Sequence, residues 1–558
     1  MSLENLGEVS GKTTITIDGN CLIDGDVYGG GNESAVGGDV EVNLQGGIVS
    51  QDVYGGGALA NTNTSANKTT TVILKNGTVT GDVYGGAKGD ETTAPLVGGN
   101  VLVKLNEAIA TDNCVVQGRI FGCNNVNGTP KGTVTVHVFK TQGWAGHDVS
   151  EGKADDSIEK TNTVYELAAV YGGGNQAVYE PTDLVNGKTS VIIEGCDQTS
   201  IEYVYGGANA ASVPATDVVV NGCYEIGSCF GGGNGRDPLS DGSPNPGANV
   251  GYKTIEFTPD DSKTDEENAE ALAAAKSTAS YGTGLSSISL HGGTIHYAFG
   301  ASNTKGNVRE QSVARLDEGN DCPLLIDEAY GAGKEAVMDG RTAIVLGCIG
   351  ELSEIYGGSE NADIGNDIEL TITSGRFKKV FGGNNKGGVI SGSITVNVEE
   401  TGCRAIEIEQ LYGGGNHAAY TTPAGKTGPT VNVKSCKRVD EVYGGGFGED
   451  AMVVGDTHVN ISMLKGVLHS NDTDSGNDVE QSIGSVGTVF GGGNAAKVVG
   501  STFVNIGTKT EWEMRSLTTN PASPVKRTVE GVLITDNVYG GGKNADVTGQ
   551  TNVTVGAD

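Results

Sequence analysis

An apolar or small residue, an aromatic residue and a glycine stand together fifteen times in this chain of 558 residues. The shortest intervals between copies are 25 and 26 residues, and the longer intervals fit the same unit with an insertion. A unit of that length cannot bury a hydrophobic face alone, but it can when copies stack on each other. The aromatic residues are Tyr28, Tyr54, Tyr84, Phe121, Tyr171, Tyr205, Phe230, Phe299, Tyr330, Tyr356, Phe381, Tyr412, Tyr443, Phe490 and Tyr539.

The segment between two copies has the pattern of β-strands. In residues 37–57, Val40, Val42 and Leu44 alternate with polar residues, a glycine turn follows, and a short strand leads to the next aromatic residue. Alternation with a period of two, rich in Val, Ile and Thr, predicts a half-buried strand. Propeller blades need about 40 residues, and leucine-rich repeats need a leucine ladder that this chain lacks. We therefore predict an all-β fold, a single-stranded parallel β-helix (β-solenoid) of about 15 coils, expected to be right-handed.

The residue types at three positions of the repeat show whether these positions serve packing or chemistry. The aromatic position holds Tyr ten times and Phe five times, so no mechanism shared by all copies can use the hydroxyl. Rings stacked on successive coils explain this position better. The next position is always glycine, which indicates either a positive φ or no room for a Cβ atom beside the neighbouring coil. Four residues after the aromatic, nine copies have Asn, which suits a turn and can hydrogen-bond along the stack.

The repeat covers almost the whole sequence. We expect Met1–Leu3 to be a cloning remnant, 1–11 to lead into the repeat, and 12–558 to form one continuous β-helix. Because the repeat is under way by Lys12 and is still running at the last residue, we expect the chain to be an excised piece of a longer protein.

Four insertions interrupt the minimal unit, near 140–167, 235–286, 469–487 and 508–535. In the second insertion, Thr264 and Glu267 form a capping-box pattern before an alanine-rich segment, which predicts a helix. Loops on a rigid scaffold often carry binding residues. Trp144 and Trp512, the only two tryptophans, both lie in insertions and are candidate ligand contacts.

Known cofactor and metal motifs do not fit this sequence. Calcium-binding β-rolls use nonapeptides with Asp after the glycines, and this repeat is longer. The GKT triplets at Gly187 and Gly425 lack the first glycine of a phosphate-binding loop. No Cys-x-x-Cys pair occurs, and the seven histidines do not cluster. We therefore expect no cofactor, no metal and no catalytic residue.

The ten cysteines mostly stand seven to nine residues before a motif aromatic residue, in one region of the coil. Small apolar thiols pack well in such a place, so this spacing favours free, mostly buried cysteines. Cys196, Cys223 and Cys229 lie on neighbouring coils and are the best candidates for a bridge.

The net charge of −33 restricts the partners of this chain. An acidic surface repels nucleic acids and anionic membranes, and no run of 18 apolar residues could span a bilayer. We expect no nucleic-acid partner and no membrane insertion.

The Gly- and Asn-rich turns between short Val/Ile/Thr strands, as in the "VYGGGN" repeats, resemble bacterial surface β-solenoids over nearly the whole chain. This class includes autotransporter passengers, adhesins and gut-bacterial repeat proteins. The resemblance is one of architecture and brings no catalytic residues with it. It implies an extracellular or bacterial cell-surface location.

Two functions compete on this basis. The first is a non-enzymatic surface or secreted structural or adhesion protein, which would bind a host or microbial glycan or a surface protein through its insertions. The alternative is a carbohydrate-active enzyme, a polysaccharide lyase or glycoside hydrolase, with paired acidic residues on adjacent coils. Asp363, Asp367 and Glu369 come nearest to such a set. Because fold alone does not confer chemistry, the first hypothesis is preferred.

Overall fold

The computed structural model describes residues 7–107, 111–141, 165–255, 257–319, 322–400, 403–462, 484–507, 511–514, 525–528 and 533–556. The chain divides into two compact units. Unit 1 comprises Met1–His296 and Ala301–Ser312, and unit 2 comprises Tyr297–Gly300 and Val313–Asp558. Each unit is a parallel β-helix, which confirms the predicted fold class.

In unit 1, the alternating segments form a parallel sheet of long strands, in which each strand pairs with its counterpart one coil later. Two shorter strands, Leu22–Ile23 and Asn113–Val116, extend this sheet. The long strands are Thr13–Ile17, Val40–Val49, Thr69–Val79, Asn100–Leu105, Val134–Val138, Thr189–Ile193, Thr216–Val220 and Leu285–Leu290.

The motif strands of unit 1, which end at the motif aromatic residue, form a second parallel sheet. The short strands Leu96–Val97 and Thr129–Pro130 pair on a third side of the coil. The motif strands are Val27–Tyr28, Val53–Tyr54, Val83–Tyr84, Arg119–Phe121, Leu167–Tyr171, Ser200–Tyr205 and Glu225–Phe230.

Unit 2 repeats this arrangement. Its long strands are Arg341–Leu346, Ile368–Ile372, Ile394–Glu399, Thr430–Ser435, Thr457–Ile461, Thr502–Ile506 and Thr551–Val555. Its motif strands are Leu324–Tyr330, Glu351–Tyr356, Arg376–Phe381, Glu407–Tyr412, Arg438–Tyr443, Ser485–Phe490, Leu533–Ile534 and Val538–Tyr539. The third side has Tyr420–Thr421, Val453–Val454 and Val498–Val499, and an antiparallel pair joins Glu511–Met514 to Val525–Thr528. Two further strands, Gly293–Phe299 and Gln311–Leu316, have residues in both units.

The predicted glycine turn at 46–47 lies inside a strand. Val40–Val49 is one strand of ten residues, with register shifts against its neighbour at Gln45 and Ile48. Gly47 has φ of +78°, a conformation that suits glycine, so the bend occurs without ending the pairing.

The core of each coil lies between the long strand and the motif strand. The residue before the aromatic faces this core, as predicted: Val53, Val83 and Ile120 are at most 1% exposed. The glycine after the aromatic is required by space and not by conformation. A Cβ atom on Gly55 would lie 2.4 Å from the carbonyl oxygen of Gly85 and 2.7 Å from Cγ2 of Thr70. Gly55 has no left-handed φ, so of the two predicted reasons only the lack of room applies here.

The motif aromatic residues form the predicted ladders. In unit 1, successive rings from Tyr28 to Phe230 stack with centroids 4.6–5.1 Å apart. In unit 2, the rings from Phe299 to Tyr539 stack at 4.7–5.0 Å. Interplanar angles stay at or below 13°, so like residues in a common register pack face to offset face.

Candidate functional site

The two tryptophans predicted as ligand contacts lie where the structure gives no side-chain geometry. Trp144 is outside the described residues. Trp512 belongs to the strand Glu511–Met514 and stands opposite Arg527, and its side chain is likewise outside the described part. Both assignments therefore stay predictions.

The insertion at 235–286 contains the predicted helix. Asp265–Ala279 is helical, and Thr264 and Glu267 form the capping box. Among the described residues, this chain has no helix with the length and apolarity needed to cross a bilayer. The other three insertions fall largely outside the described residues.

The acidic residues singled out in the sequence bond from coil to coil. The Asp363 carboxylate accepts a hydrogen bond of 2.7 Å from the backbone N–H of Val389. Asp367 accepts one of 2.7 Å from Ser393 N–H and forms an ion pair of 2.9 Å with Lys426. These contacts join each carboxylate to a later coil of the stack, so they give both residues a structural role.

The asparagines that stand four residues after the motif aromatic form a second ladder along the stack. The side-chain amide of Asn175 donates to Asn125 Oδ1, and Asn209 donates in turn to Asn175 Oδ1, at 3.0 and 2.8 Å. Asn234 continues the chain at 2.8 Å and Asn303 at 2.9 Å. The predicted hydrogen bonding of stacked asparagines is thus confirmed in unit 1. These buried amides satisfy each other, and their ladder fixes the turn of one coil to the next.

The tyrosine hydroxyls belong to the same network. Tyr54 donates to Asp52, two residues earlier, and accepts from Asn125, which lies two motif copies later. In unit 2, Tyr330 donates to Glu328 and accepts from Asn385 in the same way. The hydroxyls are therefore occupied by structural hydrogen bonds wherever the sequence supplies these partners.

The cysteines only partly follow the prediction. Six are free, and five of these are buried, as expected. Cys223 and Cys229 are among the free ones, so the predicted bridge among Cys196, Cys223 and Cys229 is wrong, although Cys196 is disulfide-bonded. Cys348 and Cys403, 55 residues apart, form a disulfide that the sequence analysis did not anticipate. Their motif aromatics, Tyr356 and Tyr412, have another copy between them, so spacing alone did not suggest the pair.

Beside this disulfide lies a charged cleft of about 390 Å³ within unit 2. We call it the charged cleft. Its volume falls within the range of about 300–1,000 Å³ that is typical of small-molecule sites. It is lined by Glu318, Leu324, Leu325, Gly350, Glu351, Arg376, Arg404, Ala405, Glu407 and Lys437.

The register of the motif strands places three of these charges in one row with Arg438, which does not line the cleft. Glu351 pairs with Arg376, Arg376 with Glu407, and Glu407 with Arg438. Each stands five residues before its motif aromatic, at the start of its strand. The following residue in each strand, such as Phe377, is buried, so alternation turns the charged row outward. This row is the signal that the sequence analysis missed.

Ion pairs organise the cleft. Arg404 Nη2 lies 2.8 Å from Glu318 Oε2. The Glu407 carboxylate faces three cations, with Lys437 at 3.3 Å, Arg438 at 3.6 Å and Arg376 at 3.7 Å. Arg438 also pairs with Asp440 at 3.4 Å, which leaves Arg376 and Lys437 to share Glu407, and the cleft lining as a whole has three acidic and three basic residues.

Unit 1 contains a different arrangement, in which buried His296 and Glu225 approach each other and Glu202, also buried, lies on the motif strand that pairs with that of Glu225. The two carboxylates are 0% exposed and His296 is 2% exposed. His296 Nε2 lies 3.9 Å from Glu225 Oε2, and Ser200 Oγ donates to Glu225 Oε1 at 3.2 Å. Within the described residues, no group of three or more His, Cys, Asp and Glu side chains has the geometry to hold a metal ion.

Comparison with protein-family models, with curated proteins and with solved structures found no match for this chain. The resemblance to surface β-solenoids therefore remains one of architecture, and function has to be argued from the sites themselves.

Proposed function

We propose that this protein is a non-enzymatic structural or adhesion scaffold that acts at the cell surface or after secretion. The observation that carries the proposal is the use of the recurring polar side chains. Tyr54 donates to Asp52 in its own coil and accepts from Asn125 of a later coil, and Tyr330 makes the corresponding bonds in unit 2. A repeat whose polar groups are occupied in this way supports stacking and offers no catalytic set of its own.

The disulfide supports the proposed location. Disulfides such as Cys348–Cys403 persist in oxidising compartments and are rare in the cytosol of most organisms. Antibodies against this chain should label intact source cells or detect it in the medium. The native protein should expose six titratable thiols after denaturation without reductant, since four of its ten cysteines are disulfide-bonded. Ten free thiols in the native protein would contradict the location.

The absence of turnover is the second part of the proposal. Incubation with polyuronides and neutral polysaccharides should release no new reducing or unsaturated ends. Binding of the intact chain to a glycan array or to cell surfaces should be measurable under the same conditions. Turnover of any polysaccharide would overturn the non-enzymatic assignment.

A carbohydrate-active enzyme is the second candidate, and the two buried carboxylates of unit 1, Glu202 and Glu225, favour it. Glu202 and Glu225 come from paired motif strands, and enzymes of this class use two carboxylates as acid and base or nucleophile. Their complete burial counts against direct access by a polymer. If turnover were seen, Glu202→Gln and Glu225→Gln should abolish it, whereas Glu369→Gln, on an exposed strand position, should not.

A further inference from the structure

We propose that the charged cleft binds a saccharide that carries a carboxylate, that is, a uronic or sialic acid. This inference rests on the proposed function, because it names the ligand that a surface scaffold would hold. It also moves the expected binding region from the insertions to the row of charges on the motif strands.

Within the ion pairs of the cleft, the cations reach solvent more than the carboxylates do. The side chains of Arg376 and Lys437 are 67% and 60% exposed, and that of Arg404 is 41% exposed. The carboxylates that pair with them, Glu407 and Glu318, are only 19% and 15% exposed. An incoming ligand therefore meets guanidinium and ammonium groups first. Arginine presents two parallel N–H donors that match a carboxylate, so an acidic group fits this rim.

The carboxylates restrict the ligand further. Glu351 is exposed at the cleft, and Glu407 lies between the cations. Carboxylates accept hydrogen bonds from hydroxyl groups but repel phosphates and other dense anions. The net charge of −33 also disfavours highly charged polymers. A ring with several hydroxyls and one carboxylate satisfies both kinds of group, and Leu325, half exposed, offers an apolar contact.

The disulfide positions one of the arginines. Arg404 directly follows Cys403, and Gly350 lies two residues after Cys348. A Cβ atom on Gly350 would stand 2.8 Å from Arg404 Nη1, so the glycine leaves space for the guanidinium. The bridge thus ties the segment that carries Arg404 to the segment against which it packs. Arg404 is held in place for the ligand as well as for its pair with Glu318.

The test is calorimetric titration of the whole chain with short galacturonate and glucuronate oligomers and with sialyllactose. Maltotriose and lactose serve as neutral matched sugars. The acidic sugars should bind more tightly than the neutral ones, and added salt should weaken them. The two acidic arms distinguish a uronic from a sialic acid ligand.

Substitution locates the binding. Arg376→Ala and Arg404→Ala should each weaken binding about tenfold, the usual effect of losing a charge-assisted hydrogen bond. Arg376→Lys keeps the charge but loses the two parallel N–H donors of the guanidinium. Its affinity for the acidic sugar should lie between that of Arg376→Ala and that of the native protein. Lys378→Ala is the matched control, because Lys378 is exposed on the same strand and does not line the cleft. Circular dichroism and melting curves check that each variant is folded.

Three results would overturn the inference: no binding of any acidic sugar, equal binding of the neutral sugars, or an equal loss in Lys378→Ala. Measuring turnover in the same samples separates this inference from the proposed function. Binding with turnover would keep the ligand and refute the non-enzymatic scaffold. If the chain shows neither binding nor turnover, the inference about the cleft is refuted and the scaffold proposal stands.

Discussion

The hydroxyl of Tyr54 accepts a hydrogen bond of 2.8 Å from the side-chain amide of Asn125, although the two residues are 71 positions apart in the sequence. The Asn belongs to the second motif copy after that of the Tyr. A single side-chain contact therefore spans one whole copy of the repeat. Because Tyr54 is fully buried and also donates to Asp52, loss of its hydroxyl leaves the buried Asn125 and the half-buried Asp52 without this partner.

The first prediction concerns this pair. Tyr54→Phe should destabilise the protein by about 1–2 kcal/mol, the cost of leaving buried hydrogen-bonding groups without their partner. In a double-mutant cycle with Asn125→Ala, the two changes should couple by about 1 kcal/mol. Thermal and urea unfolding provide the measurement. Tyr539→Phe is the control, because Tyr539 is stacked in the corresponding ladder of unit 2 but is 46% exposed, and it should show no change. Additive effects of the two substitutions would refute the contact.

The second prediction concerns the invariant glycine. Gly55→Ala should lower the free energy of unfolding by about 3 kcal/mol or more, the upper end of the range for overpacked substitutions. The reason is that its new methyl group would meet backbone atoms that cannot move aside. Gly541→Ala, in the last motif copy, has nothing within 4 Å of the new atom and should be neutral. Melting temperatures of the two variants show whether the glycine is required by lack of space for a Cβ atom or by backbone conformation. A Gly55→Ala protein as stable as the native one would exclude the steric explanation.

The repeat positions could be read from the sequence because fifteen copies average out local variation. A position that is Tyr or Phe, but never anything else, must pack, and a position that is always Gly must lack room or need a special φ. Both inferences hold in the structure. The Tyr84 ring is stacked in the ladder, and a Cβ atom on Gly85 would have no room. The ladder of asparagines follows from the same reasoning.

The charged cleft could not be found in this way. Glu351, Arg376, Glu407 and Arg438 occupy one repeat position, but only in four consecutive copies, and their signs alternate. Such a row has no fixed residue type and looks like an ordinary solvated strand end. Arg404 and Glu318 come from segments outside the strands, so their meeting depends on the path of two loops that no periodicity encodes.

The third prediction concerns the disulfide. Cys348→Ser with Cys403→Ser should lower stability by about 4 kcal/mol on the loop-entropy estimate for a loop of 55 residues. It should also weaken binding of an acidic sugar, since Arg404 follows Cys403. Reductant should weaken sugar binding in the same way, and it should lower stability at least as much, because it also breaks the disulfide of Cys196. Cys21→Ser, at an exposed free cysteine, is the matched control and should change neither quantity. Unchanged sugar affinity in the double variant would refute the positioning of Arg404 by the bridge.

The fourth prediction concerns pH, where two carboxyl groups should act with opposite sign. Burial raises the pKa of the Glu328 carboxyl, which also accepts the Tyr330 hydroxyl. A raised pKa in the folded state means that its contribution is most favourable in acid and is lost as the pH rises through the folded pKa. Glu328→Gln keeps an acceptor for Tyr330 but cannot ionise. It should therefore match the native protein below about pH 4 and be the more stable of the two at neutral pH.

Asp367 provides the opposite case within the same unit. The hydrogen bond from the Lys426 ammonium holds the pKa of the Asp367 carboxyl below its ordinary value, and the backbone N–H of Ser393 adds to this. Its stabilising contribution is therefore present above the unfolded pKa and is lost as the pH falls through the folded one. Asp367→Asn should be less stable than the native protein at neutral pH, and the difference should disappear in acid. Melting temperatures from pH 3 to pH 8 test both variants, and parallel pH profiles for the two would contradict the assigned directions, because the Glu328 and Asp367 effects must diverge as the pH rises.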